Sequence, residues 1–193
     1  MDSKFLMIDD IVSLETQEKI KNTLLGDSFP WFYVDDVTIS DEISDNTPAM
    51  SHYYRVDYKT NSQFYSLVED IGDKGAELYG FDYTNVSQVR SFLQFPLNPN
   101  WRKVFVDKLH IDSTSDHLVV LYYVLDSDGD TIIVNKESEY EEDIPTDLKY
   151  TDYEVLHRIT PKQGRAVIFN GKYYHTAEQP TNGMRCVINF NLV

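Results

Sequence analysis

Cysteine is nearly absent from this sequence: Cys186 stands alone, so no disulfide can close within the chain, which fits a reducing compartment. Positive charge is scarce as well. Lys and Arg number 17 against 32 Asp and Glu, giving a formal charge of -15 and a pI near 4.5. A chain of that sign repels a phosphate backbone on average, which argues against nucleic acid as a general partner; the acidity itself reads as solubility. No run approaches the roughly 18 consecutive apolar residues of a membrane span, and Met1 to Asp10 lack a basic stretch leading into an apolar one. The expectation is a soluble, cytoplasmic protein.

What is present suffices for a substantial core. The 193 residues are 41% apolar, 13% aromatic and 25% charged, which points to one ordered domain over residues 1–193. Leu14, Ile20, Leu24 and Leu25 recur at helical spacing between Ser13, a suitable N-cap, and Gly26. A second helix is expected from Ser62 to Tyr79, with Phe64, Leu67, Val68, Ile71 and Leu78 on one stripe, Gly72 and Gly75 weakening it and Gly80 ending it. The stretch between, Phe29 to Ser51, reads as loops and short strands.

From Val86 onward β-branched and aromatic residues dominate short runs separated by turn residues. The expected strands are Val86 to Phe95, Val104 to Asp112, Leu118 to Leu125, Thr131 to Val134, Glu154 to Ile159, Ala166 to Phe169 and Arg185 to Leu192. Asp126 to Asp130 and Pro161 to Gly164 supply turns, and Lys136 to Asp152 reads as an acidic excursion. Mainly β structure with flanking α-helices follows, a sandwich or jelly-roll barrel. Residues 1–85 would give helical and loop support and residues 86–193 the core. Exposed strand edges would suit a homodimer.

Alternate residues of a strand share a face, so His110 and Asp112 could reach one ion. An imidazole and a carboxylate are two parts of the two-histidine, one-carboxylate set that suits Fe(II) and leaves positions open. His175, ahead of the last strand, is where a barrel could supply the second histidine. His117 could support those ligands by hydrogen bonding or serve as a structural histidine. His157 has no spacing argument, and His52 could at most line a cleft.

The order of parts is specific: Leu109-His110-Ile111-Asp112, then Leu121-Tyr122-Tyr123 running through Asp128-Gly129-Asp130-Thr131, then Pro161-Lys162-Gln163-Gly164-Arg165, then Tyr174-His175 and Gly183-Met184-Arg185. In it the sequence resembles the 2-oxoglutarate and Fe(II)-dependent oxygenase superfamily, particularly its prolyl 4-hydroxylase-like branch and similar phage proteins. The resemblance covers about residues 86 to 193. It implies a double-stranded β-helix, Fe(II) on His110, Asp112 and His175, and 2-oxoglutarate as co-substrate with ascorbate as an accessory. It also implies Arg185 clamping the distal carboxylate of 2-oxoglutarate, dioxygen as the second co-substrate, and Tyr123, or failing it Tyr122, donating to the same carboxylate. A hydroxylated protein, prolyl peptide first, or a small molecule would be the substrate, with Trp101, Tyr54 and Tyr58 offered as a peptide groove. The chain departs from the branch at Val187, Leu125 and Asp128, where relatives carry Ser or Thr, Asn, and Gly. A barrel that binds a metal or small ligand without turnover is the competing reading.

Overall fold

Residues 4–37, 47–98, 106–138 and 148–193 are described in a computed structural model of the chain. In chain order the elements are β1 (Phe5–Ile8), α1 (Leu14–Leu24), β2 (Phe32–Val34), β3 (Ala49–Val56), β4 (Lys59–Thr60), α2 (Glu69–Tyr79), β5 (Val86–Gln94), β6 (Leu118–Tyr123), β7 (Thr131–Glu137), β8 (Val155–Ile159), β9 (Ala166–Asn170), β10 (Tyr173–Ala177) and β11 (Arg185–Leu192).

Alternation within the central strands explains how these elements stack. On β6, Val119, Leu121 and Tyr123 enter one apolar cluster while Leu118, Val120 and Tyr122 enter another. β9 divides in the same way, Val167 and Phe169 against Ala166 and Ile168, and on β11 Val187 faces opposite to Cys186, Ile188 and Phe190. Strands buried on both faces must lie in a middle layer. They do: the larger antiparallel sheet runs β1-β9-β6-β11-β5-β3-β2, with β4 paired to β3. Its outer face carries the helices, and its inner face looks onto a smaller sheet, β10-β7-β8, which contributes Ile133 and Ile159 to the inner cluster. This is the expected mainly β jelly roll with two flanking helices.

The amino-terminal part does more than support it. β1 pairs with β9, and β3 pairs with β5, so residues before Val86 extend both sides of the main sheet. The sequence reading missed β1, whose partner β9 lies far along the chain, and the full length of β3.

Helix α1 is capped by Ser13, whose hydroxyl accepts from Thr16 N at 3.2 Å, and it buries Gln17, Ile20 and Leu24, leaving Leu14 and Leu25 exposed. The second helix begins later than expected: a 3-10 turn, Tyr65–Leu67, precedes α2, which ends at Gly80 with φ of 73°. Gly75 is no defect in it. A Cβ there would lie 2.7 Å from Val120 Cγ2, so the glycine is what lets the helix approach β6 this closely.

Candidate metal centre

The segment bearing His110 and Asp112 is not the continuous strand expected from Val104; residues 104 and 105 lie outside the described residues, and Val106 onward makes only two isolated bridges, to Glu178 and to His175. Those bridges, with Asp107 N donating to Ala177 O at 2.8 Å, seat it beside β10 without making it a strand of the smaller sheet. His175, expected ahead of the last strand, lies within a strand of its own, β10. The two histidines are direct cross-strand partners: His110 N donates to His175 O at 3.0 Å, and His175 N to His110 O at 2.9 Å.

Each ring is also fixed at one nitrogen. His110 Nδ1 lies 2.8 Å from Lys108 O and His175 Nδ1 lies 3.1 Å from Tyr173 O. A carbonyl only accepts, so each Nδ1 carries the proton and each Nε2 keeps a lone pair for a metal. Asp112 completes the cluster, with one ligand atom from each residue and all three within 4.8 Å of one another. Its carboxylate is held by Arg90 Nη2 on Oδ1 (2.7 Å) and Asn189 Nδ2 on Oδ2 (2.8 Å).

Across the same cavity stands Arg185, fully enclosed, donating to Gly129 O (3.0 Å), Gln94 Oε1 (2.8 Å) and Thr131 Oγ1 (2.9 Å). Tyr123 belongs to the inner cluster and donates to that Thr131 oxygen at 2.8 Å, whereas Tyr122 lies in the outer core with its hydroxyl unbonded. Arg185 and Asn189 are inward-facing residues of β11, four apart, so their Cα atoms are separated by about 13 Å. Only Asn189 touches the carboxylate of the ligand cluster, and Val187 fills the wall between.

No protein-family model matches the chain. No curated protein matches it either. Solved structures do. The non-haem alpha-ketoglutarate-dependent epimerase SnoN of nogalamycin biosynthesis matches with a TM-score of 0.70 at 9% identity, over 98% of this chain and 78% of that one. An oxidoreductase of the 2OG-Fe(II) oxygenase family from Burkholderia pseudomallei gives 0.67 at 11% identity, over 97% of this chain and 84% of that one. A prolyl hydroxylase from Trichoplax adhaerens, in complex with a hypoxia-inducible-factor peptide fragment, gives 0.64 at 13%, over 98% and 83%. The chain has the 2OG-Fe(II) oxygenase fold.

Within that fold the electrostatics suit a cation. Burial alone would raise the Asp112 carboxyl, but the Arg90 guanidinium, helped by the Asn189 hydrogen bond, holds the group ionised and well below the usual carboxylate range. Burial pushes His110 down to about 4 and lowers His175 also, so both rings stay neutral. Burial pushes Tyr123 up to about 12, keeping its proton available for donation.

The remaining histidines stand apart from the cluster. His117 bonds Ser115 O through Nδ1 (2.7 Å), while Nε2 is buried without a partner; no bond joins it to His110, Asp112 or His175. His52 is buried on the outer side, between Pro30 O (2.9 Å) and Ser62 Oγ (2.8 Å), and His157 stacks on Phe5 at 3.8 Å. Of the aromatic groove, Tyr54 is wholly buried and bonded to Ser91 Oγ (2.8 Å), so it can line no groove; Tyr58 is exposed, and Trp101 lies outside the described residues.

Sequence reasoning missed Arg90, Gln94, Asp107, Thr131 and Asn189. Asp107 is fully buried, accepting from Gln94 Nε2 (3.1 Å) and Gln179 Nε2 (2.5 Å), so Gln94 links it to Arg185. The available signal was polar residues at inward positions of otherwise apolar strands: Arg90 and Gln94 flank Phe92, and Arg185 and Asn189 flank Val187.

Proposed function

We propose that the protein is a dioxygenase dependent on Fe(II) and 2-oxoglutarate, hydroxylating a protein or small-molecule substrate with release of succinate and carbon dioxide. The observation that carries this is the cluster of His110, Asp112 and His175, with both Nδ1 protons engaged by carbonyls and both Nε2 atoms left for a metal. The donor set is the one suited to Fe(II) with positions to spare. The guanidinium of Arg185, set further along β11, fits a dicarboxylic co-substrate that spans from the metal to a fixed cation.

In this reading His110, Asp112 and His175 would hold the iron, and Arg185 would take the distal carboxylate of 2-oxoglutarate with Tyr123 and Thr131 beside it. Fe(II), 2-oxoglutarate and dioxygen, when bound, supply the oxidising power for replacing a C–H bond by C–OH. The chain supplies orientation and dryness. Gln94 keeps the Arg185 fork in register, while Val119, Leu121, Phe169 and Val187 keep bulk water from the cavity.

The test is anaerobic titration of Fe(II) and then 2-oxoglutarate into metal-free protein, followed by admission of oxygen. A visible charge-transfer band that appears only with both, weakens in Arg185→Ala, and is followed by succinate release is the expected result. Bound iron with no band and no succinate would leave a metal-binding barrel.

A further inference from the structure

Arg90 sits on the inner face of β5, its guanidinium carbon 5.0 Å from the Phe92 ring centroid and its side chain 17% exposed. It has one ion-pair partner, Asp112, which uses a single N–H of the fork. Arg90 Nε is buried and unbonded. Directly opposite, in register on β11, is Asn189, 7% exposed, whose Oδ1 is also buried and unbonded. Turning that amide would not relieve it, because Nδ2 is fixed on Asp112 Oδ2 at 2.8 Å. Both residues line the cavity that His110, His175 and Arg185 share.

Buried polar groups are nearly always paired. A donor and an acceptor left open side by side therefore outline what is absent: a group that accepts from Arg90 and donates to Asn189. Charge sharpens the outline. Arg185 has Asp107 near it through Gln94, but once Asp112 shares its charge with a metal, Arg90 is a cavity cation without a counter-charge of its own.

We infer that the substrate is a small free acid whose carboxylate seats on Arg90 and whose adjacent amine or hydroxyl donates to Asn189 Oδ1, that is, an α-amino or α-hydroxy acid. An internal residue of a peptide has no carboxylate at that place. The inference rests on the dioxygenase reading and narrows its substrate.

Arginine-labelled (15N) protein, loaded with Zn(II) and saturated with 2-oxoglutarate, allows binding to be read without turnover. The Arg90 Nε–H signal is assigned by its loss in Arg90→Lys. Free L-α-amino and L-α-hydroxy acids are then titrated singly, each beside its α-amide. At least one acid should move the signal saturably, with its amide about tenfold weaker or worse, and by calorimetry Arg90→Gln, brought to full zinc occupancy with excess Zn(II) because Arg90 also holds Asp112, should weaken that acid by a similar factor. The inference is overturned if no acid moves the signal, if acid and amide bind alike, or if 2-oxoglutarate alone already shifts it to the full extent. Failure of Zn(II) or 2-oxoglutarate to bind in the loading step would instead bring down the dioxygenase reading, and this inference with it.

Discussion

Three of the five histidines make one local bond, from Nδ1 to the carbonyl two residues back: His110 to Lys108, His175 to Tyr173 and His117 to Ser115. What separates them is the other nitrogen. In His175 Nε2 lies 3.7 Å from Asp112 Oδ2, whereas His117 Nε2 is packed against Gly171, where a Cβ would come within 2.1 Å. Alanine at His110, Asp112 or His175 should therefore abolish stoichiometric iron binding and lower succinate formation on the order of a hundredfold or more, since even partners of metal ligands contribute about 10–100-fold. Metal analysis of the purified variants checks this, and a variant that keeps full iron would remove its residue from the cluster. Arg185 admits a finer test. Its fork reaches three acceptors at once, so Arg185→Lys keeps the charge but not the geometry. The KM for 2-oxoglutarate should rise about 10–100-fold, the loss of one or two charge-assisted hydrogen bonds. An unchanged KM would place the co-substrate elsewhere.

At the scale of elements, α2 stands or falls on its approach to β6. Gly75→Ala would gain up to about 1 kcal/mol of helix propensity, yet drive a methyl against Val120 at a cost of about 1–3 kcal/mol. The net expectation is a loss on urea denaturation, recovered in the double variant with Val120→Ala; a stabilised single variant would mean that the helix shifts freely. The same glycine shows how sequence reading fares here. Periodicity located the helix, but Gly75 read as a weakness because its reason lies in a strand 45 positions away. β6 was legible because burial on both faces demands an unbroken apolar run, and β11, though interrupted by Arg185, Asn189 and Asn191, was legible from the β-branched and aromatic residues between them. β10 was not: Tyr173-Tyr174-His175-Thr176-Ala177 has no clean alternation, and only its pairing with β7 makes it a strand. His110, Asp112, His175 and Arg185 were legible through the order of motifs along the chain. Arg90 and Asn189 were not, since neither residue shows singly that the other faces it.

Over the whole molecule, the net charge of -15 leaves cations outnumbered, and one group of ion pairs ties the amino-terminal strand to the turn ahead of β9. Asp9, just after β1, accepts from Arg165 Nε at 2.7 Å and from Lys162 Nζ at 2.8 Å, beside the start of β9. Those two hydrogen bonds pull its carboxyl from 3.8 down to about 2. A depressed carboxyl stabilises the fold above its unfolded value and loses that contribution as pH falls from about 4 towards about 2. Asp9→Asn should thus lower the melting temperature at pH 6 while flattening its fall in that acid window, as calorimetry would show; parallel curves for both proteins would deny the link.

The bridge between His110 and His175 gives the molecule a latch. Each amide is bonded to the other residue's carbonyl, so both hydrogens must wait for the same opening, in which the edge segment lifts from β10. In metal-free protein, at a pH high enough for every opening to end in exchange, the two should exchange with deuterium at one common rate, and that rate is how often the pocket unfastens from the side. An ion bound there would be released no faster by that route than the latch opens, whatever its intrinsic affinity.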